Sequence, residues 1–465
     1  MFRYKIIIFL LIFAFILTTG QACKVSNEKK LQEATKPITL KYWRVFDGPD
    51  AFNEIITEYR ALRPHINIEY RKLRFDEYEE EIIDALAEDR GPDIFSIHNT
   101  WMGKYKPKIA SVPEKITMAY TTITGTFKKE KTTVLKTKPS ISLKQLRENF
   151  VDVVLDDVIM STTDNKGKTV DKIYGLPLSL DTLVLFYNRD LLNAAKIAQV
   201  PTTWKNFQQA TTKMTKIDRS GNILQSGAAL GASDNVERYF DILSLLMMQN
   251  GTKMTDERGS ITFHQMPPEL EGRPLPPGEE ALTFYTDFAS PSKEVYSWND
   301  AMPNNLTAFT QGKIAFFFGY SYHLPTIRAN APKLNLGIAK APQIEGAPEI
   351  NYANYWVEVA SKKSKHLDEA WDFIQFAADP TRVDKYLSIA KRPTALRALI
   401  ESQLDDLDLG TFVAQTLTAE TWYKGVDPDT AEDAFAQMID SIISRTMETK
   451  DAIELAARRI SQTLR

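Results

Sequence analysis

Residue types that usually perform catalysis are few in this chain and lie far apart. The five histidines include no pair at helical spacing, which argues against a zinc site built on histidine. Nucleophile-elbow, P-loop and HExxH patterns do not occur in the sequence. The histidines are His65, His98, His264, His323 and His366. We therefore expect neither a metal nor a cofactor.

Two carboxylates, Asp47 and Asp181, are the central candidates for polar chemistry. Asp181 lies in an apolar, strand-like run between Leu180 and Leu183, where an acid is costly unless it is paired or faces a cleft. The two acids lie on different elements, and neither stands beside a catalytic motif. Carboxylates accept charge-assisted hydrogen bonds without having to titrate, so the pattern favours binding of a polar ligand over catalysis.

The elements that must position these residues alternate between strands and helices. Apolar alternation predicts strands at 39–43, 66–70 and 94–97, and helical spacing predicts helices after Asp50 and over Phe75 to Ala87. A helix over 204–216 is expected with Thr203 as its N-cap, and others over 235–250, 431–445 and 451–464. Five prolines predict loop over 264–280. This order predicts an α/β fold with mostly parallel sheets flanked by helices.

The N-terminus has the pattern of an exported protein. Arg3 and Lys5 precede twelve apolar residues from Ile6 to Leu17, which suits a signal peptide, whereas a spanning helix needs about 20. The only cysteine, Cys23, comes after the small residues of 18–22 and resembles the lipidated cysteine of bacterial lipoproteins. We expect residues 1–22 to be a signal peptide, Cys23 to be lipidated, and residues 23–37 to form a flexible tether. Gly20 and Ala22 also fit ordinary secretory cleavage, so simple secretion stays open.

Net charge and chain length limit the function and the domain organisation further. The net charge is −3 and becomes −5 without residues 1–22, so nothing draws the chain to nucleic acid. With a hydrophobic fraction of 43%, 465 residues suffice for two lobes without disulfides.

A basic segment interrupts the α/β rhythm over residues 104–148. It contains eleven lysines and arginines against three glutamates. Such a run is usually a solvated surface insertion, and the alternative is a docking patch for an acidic partner or polymer.

Four stretches together resemble the family 1 extracellular solute-binding proteins, the maltose-binding-like receptors of ABC importers. The stretches are YGLP at 174–177 with LFYNRDLL at 185–192, PTTWKNF at 201–207, FTQGKIAF at 309–316, and SKKSKH at 361–366 before the Trp371 helix. The resemblance implies a two-lobed, periplasmic-binding-protein-like fold with a multi-strand hinge. Lobe I would comprise 38–180 plus 342–393, including the basic insertion 104–148, and lobe II 181–341 plus 394–465.

The resemblance also implies a ligand site in the interlobe cleft. The expected ligand-binding residues are Asp47, Asn99, Trp101, Asp181, Trp298, Tyr320, Tyr322, Asn354, Tyr355, Trp356 and Trp422. Two of these assignments have alternatives: Asp47 would equally serve as a turn residue capping the next helix, and Trp298 as a core residue. Asn354 and Tyr355 replace glycines that many members carry, which predicts a narrower cleft or a different ligand.

The implied function is capture of a carbohydrate, with an oligosaccharide as the expected ligand, by hinge closure and its delivery to an ABC permease. The expected form is a monomer held at the membrane by its lipid anchor, facing the periplasm or cell exterior. One alternative is a surface-anchored, glycosidase-like enzyme, which needs two carboxyls about 5–9.5 Å apart. The other is a surface sensor or adhesion module that does not take part in transport.

Overall fold

The computed structural model describes residues 28–124, 130–164 and 166–464, except for the side chains of residues 123 and 124. Cys23, the predicted signal peptide and the start of the predicted tether lie outside these ranges. Residues 28–34 are helical, although the sequence predicted them as part of a flexible tether. Within the described part, no helix is long and apolar enough to span a membrane.

Strands and helices alternate through much of the chain, which confirms the predicted α/β class. The strands are β1 (Ile38–Val45), β2 (Ile66–Leu73), β3 (Ile94–His98), β4 (Ile109–Ala110), β5 (Lys115–Thr124), β6 (Glu130–Pro139), β7 (Ile159–Thr163), β8 (Thr169–Ile173), β9 (Leu176–Pro177), β10 (Asp181–Thr182), β11 (Val184–Asn188), β12 (Lys216–Ile217), β13 (Ile223–Ala228), β14 (Ile314–Gly319), β15 (Leu336–Lys340), β16 (Asn351–Asn354), β17 (Trp356–Ser361) and β18 (Ala419–Glu420).

The helices fall between these strands and at the end of the chain. They are α1 (Asp50–Leu62), α2 (Phe75–Ala87), α3 (Met102–Tyr105), α4 (Leu143–Asn149), α5 (Asp152–Val158), α6 (Arg189–Ala194), α7 (Trp204–Met214), α8 (Tyr239–Gln249), α9 (Pro277–Asp287), α10 (Asn305–Thr310), α11 (His323–Asn330), α12 (Leu367–Ala377), α13 (Pro380–Ala390), α14 (Ile400–Leu404), α15 (Gly410–Val413), α16 (Pro428–Ile443) and α17 (Thr449–Ser461).

The chain forms two compact units. The first comprises residues up to Ser96, Ala110–Ser142 and Val359–Arg382, and the second comprises Ile97–Ile109, Leu143–Glu358 and Val383–Arg465. The lobe boundaries expected from the family resemblance differ from these limits, and they stay a prediction because lobes are defined by their relative motion.

In the first unit, β1 lies between two parallel neighbours, β2 and β3. Buried aromatic and aliphatic side chains of α1, including Phe52, Ile55 and Tyr59, supply the core beside this sheet. Val45 and Leu73 are paired at the carboxyl ends of β1 and β2, so the loops that follow these two strands begin side by side.

The second unit contains a five-stranded sheet in the order β12-β13-β14-β11-β15. Only β13 and β14 pair in parallel there, so this sheet is mixed where a mostly parallel one was predicted. Beside it, β10, β16 and β18 form a small sheet in which Asp181 is paired with Asn354. This small sheet carries part of the candidate site.

Several helix boundaries predicted from the sequence are close to the observed ones. The helix expected around residues 75–87 spans Phe75–Ala87, and the Thr203 side chain accepts a hydrogen bond from the Asn206 N–H at 3.3 Å, as expected of an N-cap. The proline-rich loop ends earlier than predicted, because α9 begins at Pro277, where the missing N–H costs a helix nothing.

The basic insertion contains a long antiparallel hairpin of β5 and β6. Ile116, Met118 and Tyr120 on one face of β5 are buried, whereas β6 is mostly exposed. The prediction of a solvated insertion therefore describes β6 but missed the buried face of β5, whose alternation of apolar and polar residues is the signal of a half-buried strand.

Candidate functional site

Three partly exposed rings lie together in the second unit, at a place where one strand ends and another begins. β3 ends at His98 and is followed by a 3-10 turn that carries Trp101, while β17 begins at Trp356. The ring centroids of Trp101 and Trp356 are 5.5 Å apart, and those of His98 and Trp356 are 5.7 Å apart, both in edge-to-face arrangements. We call His98, Trp101 and Trp356 the aromatic cluster. It offers ring surface to a ligand.

The aromatic cluster is supported by a buried carboxylate, that of Asp157. It accepts hydrogen bonds from Asn99 Nδ2 at 3.2 Å and from the Tyr355 hydroxyl, and these two residues adjoin the cluster in the chain. Thr421 Oγ1 donates to Asp157 at 2.8 Å, and Lys424 forms an ion pair with it. Asn99 and Tyr355 are buried, and the Asn99 N–H donates to the Tyr355 carbonyl at 3.0 Å. Asn99 and Tyr355 therefore hold the rings of the aromatic cluster in place from the buried side.

Asn99 also has a buried oxygen, Oδ1, for which the described structure shows no hydrogen-bond partner. An unsatisfied buried acceptor is costly, so this atom is a candidate to receive a donor from a bound molecule.

Asp181 is buried and satisfied by protein groups. Its Oδ2 accepts hydrogen bonds from the Ser321 N–H at 2.9 Å and the Ser321 hydroxyl at 2.5 Å, and its Oδ1 accepts one from the Thr182 N–H at 3.0 Å. Burial raises the pKa of Asp181 to about 6, while the Ser321 hydrogen bonds and the positive charge of Arg392 act in the opposite direction. The sequence predicted that an acid at this position is either paired or faces a cleft. The structure shows its carboxylate hydrogen-bonded to Ser321, and these bonds fix the turn after β14.

That turn carries Tyr320 and Tyr322, whose rings stack with centroids 5.7 Å apart. Tyr320 is fully buried, and its hydroxyl donates to Asp241 Oδ2 at 2.6 Å. The Asp241 carboxylate also pairs with Arg238 at 2.6 Å. Tyr322 is 38% exposed, so its ring, unlike that of Tyr320, is available to a ligand.

The aromatic cluster carries no charge of its own at neutral pH. Burial and, to a smaller extent, the nearby charge of Arg238 lower the pKa of His98 to about 3, and a hydrogen bond with Asn354 acts in the opposite direction. A neutral imidazole, two indoles and the Asn354 amide therefore make a face that is apolar with a polar edge. Such a face suits a ligand that has both C–H surfaces and hydroxyl groups.

Two predicted ligand residues of this unit lie in its core. Trp298 is fully buried, and its Nε1 donates to Asn235 Oδ1 at 2.7 Å. Trp422 is 4% exposed, donates to Ser244 Oγ at 2.9 Å and stacks on Phe240. Both indoles are buried, and each indole N–H has a hydrogen-bond acceptor in the protein. For Trp298 this is the core role that the sequence left open as an alternative. Both rings belong to the core of the unit and not to the candidate site.

Asp47 belongs to the first unit and follows β1. Its carboxylate lies 3.2 Å from Arg44 Nη2, and its backbone carbonyl accepts a hydrogen bond from the Tyr70 hydroxyl at 2.8 Å. The N-cap of α1 is Pro49, so Asp47 does not hold the capping position that the alternative required.

Sequence reasoning missed His98, Asp157 and Lys424. His98 had a local signal, because it directly precedes Asn99 and lies three residues before Trp101, which were both expected as ligand residues. Asp157 and Lys424 had none, since they reach the site only through long-range folding. No cluster of three or more potential metal ligands occurs among the residues that the structure describes.

Residues 47–381 match the bacterial extracellular solute-binding proteins, and this range is most of the chain. The chain therefore belongs to that family, whose members are exported substrate-binding proteins.

Relatives include the maltodextrin-binding protein of Bacillus subtilis, 26% identical over 227 residues that make up 45% of this chain and 47% of the relative. A putative binding protein of Brucella abortus is 23% identical over 283 residues, with 58% and 60% covered. The multiple sugar-binding protein of Streptococcus mutans is 22% identical over 262 residues, with 56% and 60% covered. The chain thus spans 60% or less of the length of these curated relatives.

Solved structures share the fold over nearly the whole chain. The cyclic alpha-maltosyl-1,6-maltose binding protein from Arthrobacter globiformis is 18% identical with a TM-score of 0.70, covering 92% of this chain and 99% of that one. A cyclo/maltodextrin-binding protein complexed with maltotetraose is 15% identical with a TM-score of 0.68, covering 92% and 97%. At such identities the likeness establishes the fold, and it confirms the predicted solute-binding-protein architecture.

Proposed function

We propose that this protein is the extracytoplasmic binding component of an ABC importer and that its ligand is a carbohydrate, most simply an oligosaccharide. The observation that carries the proposal is the partly exposed aromatic cluster, with Tyr322 exposed elsewhere in the same unit. Aromatic faces bind the C–H surfaces of sugar rings, while amides such as Asn354 bind their hydroxyls. Relatives named for maltodextrin and multiple-sugar binding support the same ligand class.

A sugar panel tests this proposal directly. Maltotetraose, maltose, mannobiose, acarbose and tagatose would be screened by thermal shift and then by calorimetry. A cognate sugar at 100 times its Kd should stabilise the folded state by about 2.7 kcal/mol, because it binds only the folded protein. No shift with any sugar, followed by a shift with a polyamine or an anion, would contradict the ligand class.

The same panel tests two finer parts of the proposal. Capture by lobe closure, inferred from the family resemblance, predicts a smaller radius of gyration in the presence of the cognate sugar.

A binding protein that is not an enzyme should return the sugar intact, so chromatography should recover the oligosaccharide unchanged. Released shorter products would instead favour a glycosidase-like activity.

Anchoring through Cys23 is a separate part of the proposal. Cys23→Ser should move the protein from the membrane fraction to the soluble exported fraction, because Cys23 is the only cysteine in the sequence and no other thiol can carry the lipid. Sugar affinity should be unchanged, since the substitution leaves the folded units intact. Persistence of the variant in the membrane fraction would contradict lipidation, and simple secretion predicts that the wild-type protein is soluble as well.

A further inference from the structure

The strand β6 forms an open edge of the β5–β6 hairpin on the first unit. It pairs with β5 along its whole length, and among the strands that the structure describes it has no second neighbour. Its side chains are mostly exposed. An edge strand presents a row of backbone N–H and C=O groups with which another strand can pair. β6 is therefore a place where an extended segment can add to the hairpin.

This edge is held in position by β5 and α12. The buried Tyr120 of β5 donates a hydrogen bond to Asp372 of α12 at 2.8 Å. Two threonine pairs join β6 to β5, each with its hydroxyl oxygens 2.9 Å apart: Thr117 with Thr137, and Thr121 with Thr133. A preformed edge is bound at a lower entropic cost than one that must be ordered first.

The side chains of β6 are predominantly basic. Three lysines, Lys131, Lys136 and Lys138, stand against one acid, Glu130. None of the three lysines forms an ion pair with a carboxylate among the described residues. The Lys138 ammonium lies 3.8 Å from the centroid of the Tyr120 ring, while Lys131 and Lys136 are exposed to solvent. Positive charges without acidic neighbours attract an acidic partner and select against a basic one.

Two apolar side chains lie between these lysines. Val134 is 45% exposed and Leu135 is 38% exposed. As consecutive residues of a strand they point to opposite faces of the hairpin. Lysines on an edge strand often serve only to prevent association, but two exposed apolar residues at its centre do not serve that purpose. They give a partner strand apolar surface to cover.

A second copy of β6 is a poor partner for this edge. In an antiparallel pairing centred on Val134 and Leu135, Lys131 of each copy would lie opposite Lys138 of the other, and like charges directly opposite each other are destabilising. An anionic polymer or lipid surface would neutralise the lysines but would leave the backbone groups of the edge unused. An acidic polypeptide in extended conformation uses both the charges and the backbone.

We propose that β6 is a docking edge for an extended acidic segment of another protein, which has apolar residues at its centre and adds to the hairpin as a third strand. This inference goes beyond the proposed function and does not depend on sugar binding.

A labelled peptide tests the docking edge on the full chain. The probe is a ten-residue peptide with a central Val-Ile pair, threonines beside it and glutamates and aspartates at both ends, followed by fluorescence polarisation. Binding should be saturable, should weaken as salt is raised, and should slow amide hydrogen exchange over residues 130–139. A peptide with lysines in place of its acids should not bind. Absence of binding by the acidic peptide would overturn the proposal.

Charge reversal on β6 tests where the peptide binds. The double variant Lys131→Glu with Lys136→Glu should raise the Kd about tenfold, because it replaces attraction by repulsion at exposed positions. The matched control is Lys144→Glu with Arg147→Glu, which changes the net charge equally at exposed positions of α4. It should change the Kd by less than about twofold, since these residues lie outside the hairpin. Equal effects of the two double variants would overturn docking at β6.

Backbone methylation of the peptide tests strand addition itself. Two analogues carry N-methyl groups at either the odd or the even residues, which removes the hydrogen-bond donors from one edge of the peptide and keeps its charge. At least one analogue should bind about tenfold more weakly than the unmodified peptide. If both bind equally well, or if heparin or phosphatidylglycerol vesicles compete as effectively as unlabelled peptide, the surface attracts anions in general and strand addition is overturned.

Discussion

Trp356→Ala is expected to weaken binding of the cognate sugar about 100-fold while the melting temperature changes little. Trp356 is partly exposed and meets Trp101 and His98 edge to face, so part of its ring surface is open to a ligand. Burying an aromatic side chain against a ligand contributes about 2–3 kcal/mol, and each 1.4 kcal/mol is a factor of ten in affinity. Calorimetry with the best sugar of the panel measures the change.

Trp422→Ala is the matched control for Trp356→Ala. The Trp422 indole is buried, stacks on Phe240 and donates to Ser244. Removing it should lower the free energy of unfolding by about 3–5 kcal/mol, the usual cost of a large cavity, and leave the Kd of the folded protein unchanged. Wild-type affinity in Trp356→Ala would show that the aromatic cluster is not the ligand site.

This contrast shows what the sequence alone could predict about the site. Trp356 and Trp422 are the same residue type, and both were expected as ligand residues. Only packing separates them: the Trp422 indole donates to Ser244 and stacks on Phe240, both on α8 and about 180 residues away in the chain. Asn99 and Tyr355 were identified as candidates, yet their shared partner Asp157 could not be inferred, because no local pattern marks a contact between such distant residues.

The fold was more predictable than the site, for a physical reason. Helical and strand periodicity is a local property, and it located α2 to the residue and β1, β2 and β3 to within three residues. The β5–β6 hairpin was missed because its lysines and threonines dominate the composition. Its stabilising contact lies elsewhere in the chain, on α12, where the carboxylate of Asp372 meets both Tyr120 and Arg63.

Asp372→Ala is expected to lower the free energy of unfolding by about 3–5 kcal/mol, the cost of leaving a buried cation unpaired. Arg63 Nη2 donates to Asp372 Oδ1 at 3.1 Å, and Nε lies 2.7 Å from Oδ2 as an ion-pair contact without hydrogen-bond alignment. The Tyr120 hydroxyl donates to the same carboxylate at 2.8 Å, so the substitution also leaves that hydroxyl unsatisfied. Denaturant unfolding measures the loss.

Asp368→Ala separates the ion pair from a general effect of removing an aspartate from α12. Asp368 also bonds the hairpin, accepting the Thr117 N–H at 3.0 Å, but at an exposed position. Water replaces such a bond, so its loss should cost no more than about 1 kcal/mol. Because burial raises the cost of an unpaired charge, the loss of unfolding free energy in Asp372→Ala must be several times the loss in Asp368→Ala. Equal losses would mean that desolvation of Arg63 and Asp372 cancels their attraction, and the hairpin would then owe its attachment to the apolar face of β5 instead.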